Sequence, residues 1–235
     1  MNEKLIVALD VPESSLALNI VEELKEVVTF FKVGMELFYR EGPSFIYKLK
    51  NLGLKVFLDL KLHDIPNTVA RALKNLFNLE IDMVNVHALG GQEMLKASYE
   101  VKNEALKVSG KAPLILGVTV LTSMNQESLE KLGFKFELNH LVSLLAKETY
   151  DAGLDGVVAS ALEVPLIKKV CGPDFITVTP GIRRAFDENY DQKRVITPKK
   201  ALKLGADYLV VGRPITGALN RREAAQKFLE EMGVD

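Results

Sequence analysis

The feature that most restricts the fold of this chain is a rhythm. Eight short runs of β-branched and aliphatic residues recur along it, each separated from the next by a longer amphipathic stretch. Strand-length apolar runs alternating with helix-length segments are the pattern of repeated βα units around a parallel sheet, since strands covered by helices have few positions that face water. The expected strands are Leu5–Leu9, Thr29–Val33, Lys55–Lys61, Met83–His87, Leu114–Val120, Gly156–Ala159, Phe175–Val178 and Tyr208–Val211. Gly53, Gly153 and Gly205 stand just ahead of the third, sixth and eighth, where a helix stop belongs. Asn220 with Glu223 has the spacing of a capping box ahead of a last helix over 224–232, which Gly233 closes.

Eight βα units in 235 residues, with no Pro/Ser/Gly-rich linker between them, predict a single (β/α)8 barrel domain over residues 1–235. The alternative is a doubly wound open sheet. That fold more often places a glycine-rich dinucleotide loop after its first strand, whereas Asp10-Val11-Pro12 stands there. In a barrel, functional side chains gather at the C-terminal ends of the strands and in the loops that follow.

Composition narrows the function classes. The 30 basic and 31 acidic side chains nearly cancel and form no long block of one sign, so no nucleic-acid surface is expected. The single cysteine, Cys171, excludes an internal disulfide and has no neighbouring base to make it a nucleophile. No apolar run is long enough to span a bilayer, and Leu5–Leu9, ended by Asp10, is too short for a secretory core. A cytoplasmic protein without a membrane partner is the expectation. His63, His87 and His140 lack zinc-site spacing, so no metal and no cofactor are expected, although spacing alone leaves an Asp-rich magnesium site open.

The most informative segment is Asp59-Leu60-Lys61-Leu62-His63-Asp64 at the end of the third run. Residues two apart on a strand share a face, so Asp59 and Lys61 both point into the barrel mouth. An isolated D-x-K is most simply a structural ion pair. The three charged residues Asp59, Lys61 and Asp64 within six positions at the end of an apolar strand favour catalysis instead. Asp10, Lys32 and His87 lie at or near the ends of three other strands and converge on the same mouth. Each has a blander reading: Asp10 as a helix cap, Lys32 as a snorkelling surface lysine, His87 as a hydrogen-bonded core histidine.

After the seventh run comes Thr179-Pro180-Gly181-Ile182-Arg183, and after the eighth Gly212-Arg213-Pro214. These two loops build the phosphate site of many (β/α)8 barrels. Glycine lets the backbone approach an anion, and arginine adds a permanently charged fork. A phosphorylated substrate is therefore expected. The polar stretch 184–194, with Gln192, suits a lid over that phosphate, and the segment 122–132 is a second candidate for closure.

Taken together, Leu9-Asp10-Val11, the block Phe57 to Thr68, Val118 to Ser123, Thr179 to Arg183 and Val211 to Pro214 resemble the orotidine 5'-phosphate decarboxylase family, from the first strand to the eighth. The Asp59-x-Lys61-x-x-Asp64-Ile65-Pro66-Asn67-Thr68 block is the specific part. The resemblance implies orotidine 5'-phosphate as substrate, Lys61 as proton donor, and Asp59 and Asp64 as its partners in a catalytic charge network. It implies that Asp10 and Lys32 join that network and the ribose, that Thr122 meets the pyrimidine, and that Arg183, Gln192, Gly212 and Arg213 hold the phosphate. It also implies a homodimer in which Asp64, Ile65 and Thr68 reach the neighbouring subunit's site. Arg184 departs from the family's pattern, where proline is frequent.

Other readings remain at this point. A magnesium-dependent phosphosugar decarboxylase or aldolase could share the D-x-K-x-x-D block. A Schiff-base aldolase fits less well, because flanking acids raise a lysine's pKa. A noncatalytic phosphometabolite-binding protein is the reading from another class.

Overall fold

The structure is a computed structural model and describes residues 3–184 and 195–233. Its strands are β1 (Leu5–Ala8), β2 (Phe30–Gly34), β3 (Lys55–Leu62), β4 (Met83–His87), β5 (Leu114–Val118), β6 (Gly156–Val158), β7 (Ile176–Thr179) and β8 (Tyr208–Val211). All eight pair in parallel and in sequence order, and β8 returns to β1 through Leu5↔Leu209 to Val7↔Val211, so the barrel closes. Every expected strand is present, with ends shifted by a residue or two. Gly53, Gly153 and Gly205 have φ of 74°, 87° and 96°, a left-handed conformation that glycine adopts without strain where each helix must turn back into a strand.

Period-two alternation divides each strand between two cores. Val7, Phe31, Leu58, Val84, Ile115 and Leu209 face the surrounding helices in the larger outer core. Ile6, Ala8, Phe30, Phe57, Met83, Leu116, Val178 and Val210 fill the barrel interior. The same inward parity, continued toward the C-terminal ends, reaches Lys32, Asp59 and Asn85, which are buried as well. The sequence therefore stacks an apolar plug beneath a polar floor.

The opposite rim is held by a repeated device. Asp82, Asp155 and Asp207 each precede a strand and accept the backbone N–H of Val56, Ile115 and Thr177 at 2.8, 2.7 and 2.7 Å. Each also takes a lysine ammonium, from Lys50, Lys102 and Lys168 respectively. Charged hydrogen bonds there tie the starts of β3, β5 and β7 to the strands after them, which keeps stabilising chemistry away from the functional face.

The last helix, Arg221–Glu231, departs from expectation at its start. Asn220 accepts the Glu223 N–H at 3.0 Å, but the Glu223 carboxylate pairs with Lys227 at 2.6 Å, one turn on, so only one arm of the expected capping box is shown. A complete box occurs instead at Ser160 and Glu163.

Candidate active site

At the C-terminal ends of the strands lies a cavity of about 560 Å³. Its wall includes Asp10, Lys32, Asp59, Lys61, Thr122, Arg183, Gly212 and Arg213, so the structure brings eight of the expected site residues together. Asp64, Ile65 and Thr68 do not line it. They are exposed at the start of the helix Pro66–Phe77, and Ile65 is 68% exposed despite its apolar side chain. Of the lid expected over 184–194, Arg184 is described, while Gln192 and the rest lie outside the described residues.

One wall of the cavity is an alternating chain of charges. Asp10 accepts from Lys32 Nζ at 2.6 Å, Lys32 Nζ lies 3.3 Å from Asp59 Oδ2, and the other oxygen of Asp59 accepts from Lys61 Nζ at 2.7 Å. The blander readings of two residues therefore give way. Asp10 does not cap the following helix, whose N-cap is Glu13, and Lys32 is buried rather than snorkelling. Burial alone pushes the Asp59 carboxyl up, but Lys32 and Lys61, with hydrogen bonds from Lys61 and Asn85, outweigh it and hold the group below the usual carboxylate range. For Lys32, burial pushes the ammonium down, while Asp59 and Asp10 more than reverse this and raise it. Both groups are thus ionised around neutrality. Asp59 stabilises the fold above the ordinary carboxylate range and loses that contribution as acid protonates it. Lys32 contributes below the ordinary lysine range and loses its contribution in strong base.

Lys61 reaches its position by an irregular route. Leu58 pairs with Val84 and Leu62 with Val86, so residues 59 to 61 stand opposite Asn85 alone. The strand bulges, and Lys61 adopts φ 51°, a left-handed conformation that costs a non-glycine residue of the order of 1–3 kcal/mol. Regular alternation placed Asp59 and Lys61 together correctly, but the bulge is what aims Lys61. Asn85 holds it there: its Nδ2 donates to Asp59 Oδ1 at 2.7 Å, and its Oδ1 accepts the Lys61 backbone N–H at 2.7 Å. Sequence reasoning missed Asn85. The available signal was an amide at an inward position of an otherwise apolar strand, where a buried polar group requires partners.

The lining of the same cavity also includes the two glycine-arginine loops. Gly181 has φ 78°, and the buried Arg183 donates from Nη1 to the Ile182 carbonyl at 2.8 Å, which orients its guanidinium. Arg213 opens the short helix Arg213–Thr216 directly after β8, with Gly212 at its N-cap. Arg184 turns away from the cavity chemistry and places its guanidinium over the Phe228 ring, 5.2 Å from the centroid.

Comparison with known proteins agrees with this arrangement. Residues 3–228 match the model of the orotidine 5'-phosphate decarboxylase / HUMPS family. The chain belongs to that family. A member named orotidine 5'-phosphate decarboxylase from Carboxydothermus hydrogenoformans is 77% identical over 99% of this chain and 97% of its own. One of the same name from Bacillus cytotoxicus is 50% identical over 98% of each chain. The crystal structure of the Lactobacillus acidophilus orotidine 5'-phosphate decarboxylase, 39% identical, superposes over 99% of this chain and 100% of its own with a TM-score of 0.87.

Beside this chain of charges, His63 and His87 stack with ring centroids 5.2 Å apart, and His87 Nδ1 accepts the Leu89 N–H at 3.3 Å. Burial first, then the charges of His63 and Lys61, push His87 from the ordinary 6.5 down to about 4. A depressed folded value means that stability is fully present above 6.5 and is lost as pH falls through about 4. Wild type should therefore lose stability relative to His87→Gln across that window, measured by urea unfolding at a series of pH values. A constant difference between the two proteins would contradict the assignment.

Proposed function

We propose that this protein is an orotidine 5'-phosphate decarboxylase, converting orotidine 5'-phosphate to uridine 5'-phosphate and CO2 in de novo pyrimidine biosynthesis. The observation that carries the reading is the Asp10–Lys32–Asp59–Lys61 chain in a cavity whose lining also presents Arg183 and Arg213. The first suits charge development at a carbon atom, and the second suits a phosphate.

In the reaction the bond from C6 to the carboxylate breaks and its electron pair stays on C6. That vinyl carbanion has no adjacent carbonyl to delocalise it. A fixed ammonium stabilises it where it forms, and Lys61 then delivers its proton to C6, recovering one from water. Thr122, on the cavity wall, is placed to meet the pyrimidine. Arg183, Gly212, Arg213 and Gln192 hold the phosphate in this reading. No metal or cofactor is required, since the ammonium supplies the positive charge.

The exposure of Asp64, Ile65 and Thr68 supports a homodimer in which each barrel lends them to its partner's cavity. Asp64 Oδ1 accepts its neighbour Ile65's N–H at 2.7 Å, which sets the carboxylate at the head of that segment. A single-domain cytoplasmic enzyme completes the reading. Among the described residues no helix is long and apolar enough to cross a membrane.

The loss of absorbance as orotidine 5'-phosphate becomes uridine 5'-phosphate tests this directly. Turnover by wild type, undiminished by EDTA, is the expected result. Folded protein that leaves the substrate unchanged would overturn the proposal, and EDTA-sensitive turnover of a phosphosugar would favour the magnesium-dependent alternative. A second prediction concerns Gly34. A Cβ there would lie 2.7 Å from Asp10 Oδ1 and 3.1 Å from Lys32 Nζ, so Gly34→Ala must displace that ion pair. A displacement approaching 1 Å is expected to lower kcat/KM by roughly 10-fold to 100-fold. Wild-type kinetics in Gly34→Ala would show that Asp10 and Lys32 need no fixed placement.

A further inference from the structure

We propose that Asn85 is a positioning residue for the reaction: its carboxamide locks the β3 bulge so that the Lys61 ammonium and the Asp59 carboxylate meet the substrate in one fixed geometry. This rests on the decarboxylase reading and assigns a role to a residue outside the cavity wall.

Asn85 is fully buried, and it contacts both members of the central pair. The bulge takes the Lys61 N–H out of the β3–β4 ladder, and the Asn85 carbonyl is the acceptor that replaces the missing strand partner. The same side chain donates to Asp59 Oδ1, the oxygen that also holds Lys61 Nζ. These contacts close a ring from the Lys61 backbone through Asn85 and Asp59 to the Lys61 side chain. Both ends of the lysine are therefore referred to one rigid amide in the middle of β4. The orientation of that amide is fixed by chemistry, because an N–H must meet an acceptor and a carboxylate must meet a donor. The other Asp59 oxygen remains directed at Lys32, so the amide also sets the plane of the carboxylate.

Neither a purely apolar residue nor an ionised acid can do this. An alanine leaves the Lys61 N–H without its acceptor and frees the bulge. An aspartate keeps the shape, but when ionised it sets one carboxylate against another and cannot donate to Asp59. Protonated, it regains both hydrogen bonds, its O–H replacing the amide N–H. The titratable groups facing position 85 are Asp59 and Lys61 of β3, with Lys32 of β2 beyond Asp59 and His87, neutral above about 4, further along β4. The adjoining β5 positions are Leu116, Gly117 and Val118, which do not titrate. Asp59 dominates at this distance, so the new carboxyl's pKa is raised.

The test compares wild type, Asn85→Ala and Asn85→Asp by steady-state kinetics on orotidine 5'-phosphate, with thermal unfolding to establish that each variant is folded. Asn85→Ala is expected to lose about 100-fold in kcat with KM changed by less than about threefold, since misplacement of a reacting group costs rate more than binding. The ratio of Asn85→Asp kcat to wild-type kcat is expected to rise as pH falls from about 8 to about 5, because protonation restores the donor. A role confined to stability would lower the unfolding temperature and leave that ratio flat. Wild-type kcat in folded Asn85→Ala, or a pH-independent ratio for Asn85→Asp, overturns the inference. If Asn85→Ala does not fold, the Asn85→Asp profile decides alone. A wild type without turnover would instead overturn the decarboxylase reading itself, so the two failures are distinguishable.

Discussion

Replacing Lys61 with alanine is expected to lower kcat on orotidine 5'-phosphate by about 10⁴-fold or more while the protein stays folded and still binds the nucleotide. Two contributions vanish together. Proton delivery by a positioned acid is worth about 10²–10⁴-fold, and a fixed charge at a developing anion about 10²–10³-fold. They reside in one group, so the product of the two effects is a ceiling and the greater of them a floor. The fold should tolerate the change because Asp59 keeps Lys32 at 3.3 Å and Asn85 at 2.7 Å, and its buried carboxylate is not left without a counter-charge. Arg183 and Arg213 follow β7 and β8, and neither has a contact shown with Lys61, so the change should leave them in place. The absorbance assay, paired with a melting curve and a binding measurement with uridine 5'-phosphate, checks each part. A folded Lys61→Ala protein within about 100-fold of wild-type kcat would place the proton donor elsewhere.

The barrel was legible because its determinants are local. Strand-length apolar runs, glycines with positive φ and inward parity are all written within a few residues of one another, and they place Lys32 and Asp59 in the mouth without knowledge of any contact. The β3 bulge is a different kind of object. A period-two reading carries straight through Leu58 to Leu62, whereas the structure inserts two extra residues opposite Asn85 and turns Lys61 left-handed. Its stabilising acceptor lies 24 residues away in sequence, on another strand. Nothing in the local pattern of β3 encodes it. The half-formed cap at Asn220 shows the same limit on a smaller scale: Glu223 has the right spacing to reach back, but Lys227 offers its carboxylate a charged partner. Asp64, Ile65 and Thr68 show another. Their exposure is visible in one barrel, but the role proposed for them in a neighbour's site rests on the family resemblance and not on any pattern within this chain.

Arg213 provides the second large effect, and it separates recognition from chemistry. Arg213→Ala is expected to lower kcat/KM for orotidine 5'-phosphate by about 100-fold, because a charge-assisted hydrogen bond contributes about 1.5–3 kcal/mol and each 1.4 kcal/mol is a factor of ten. Part of that loss should appear in kcat. In the proposed mechanism, contacts remote from C6 would help to hold Lys61 facing the reacting carbon, so that binding energy at the phosphate is expressed in the chemical step. Orotidine without its phosphate sharpens the contrast. Wild type should turn it over far more slowly than the nucleotide, and Arg213→Ala should turn it over no more slowly than wild type, since the deleted guanidinium then has nothing to hold. The four rates form a cycle whose coupling energy isolates the arginine–phosphate contact from any damage to the fold. Equal losses on both substrates would mean that Arg213 acts by supporting the end of β8. A loss confined to the nucleotide ties the glycine-arginine loop after β8 to the phosphate and leaves the charge chain to the carbanion.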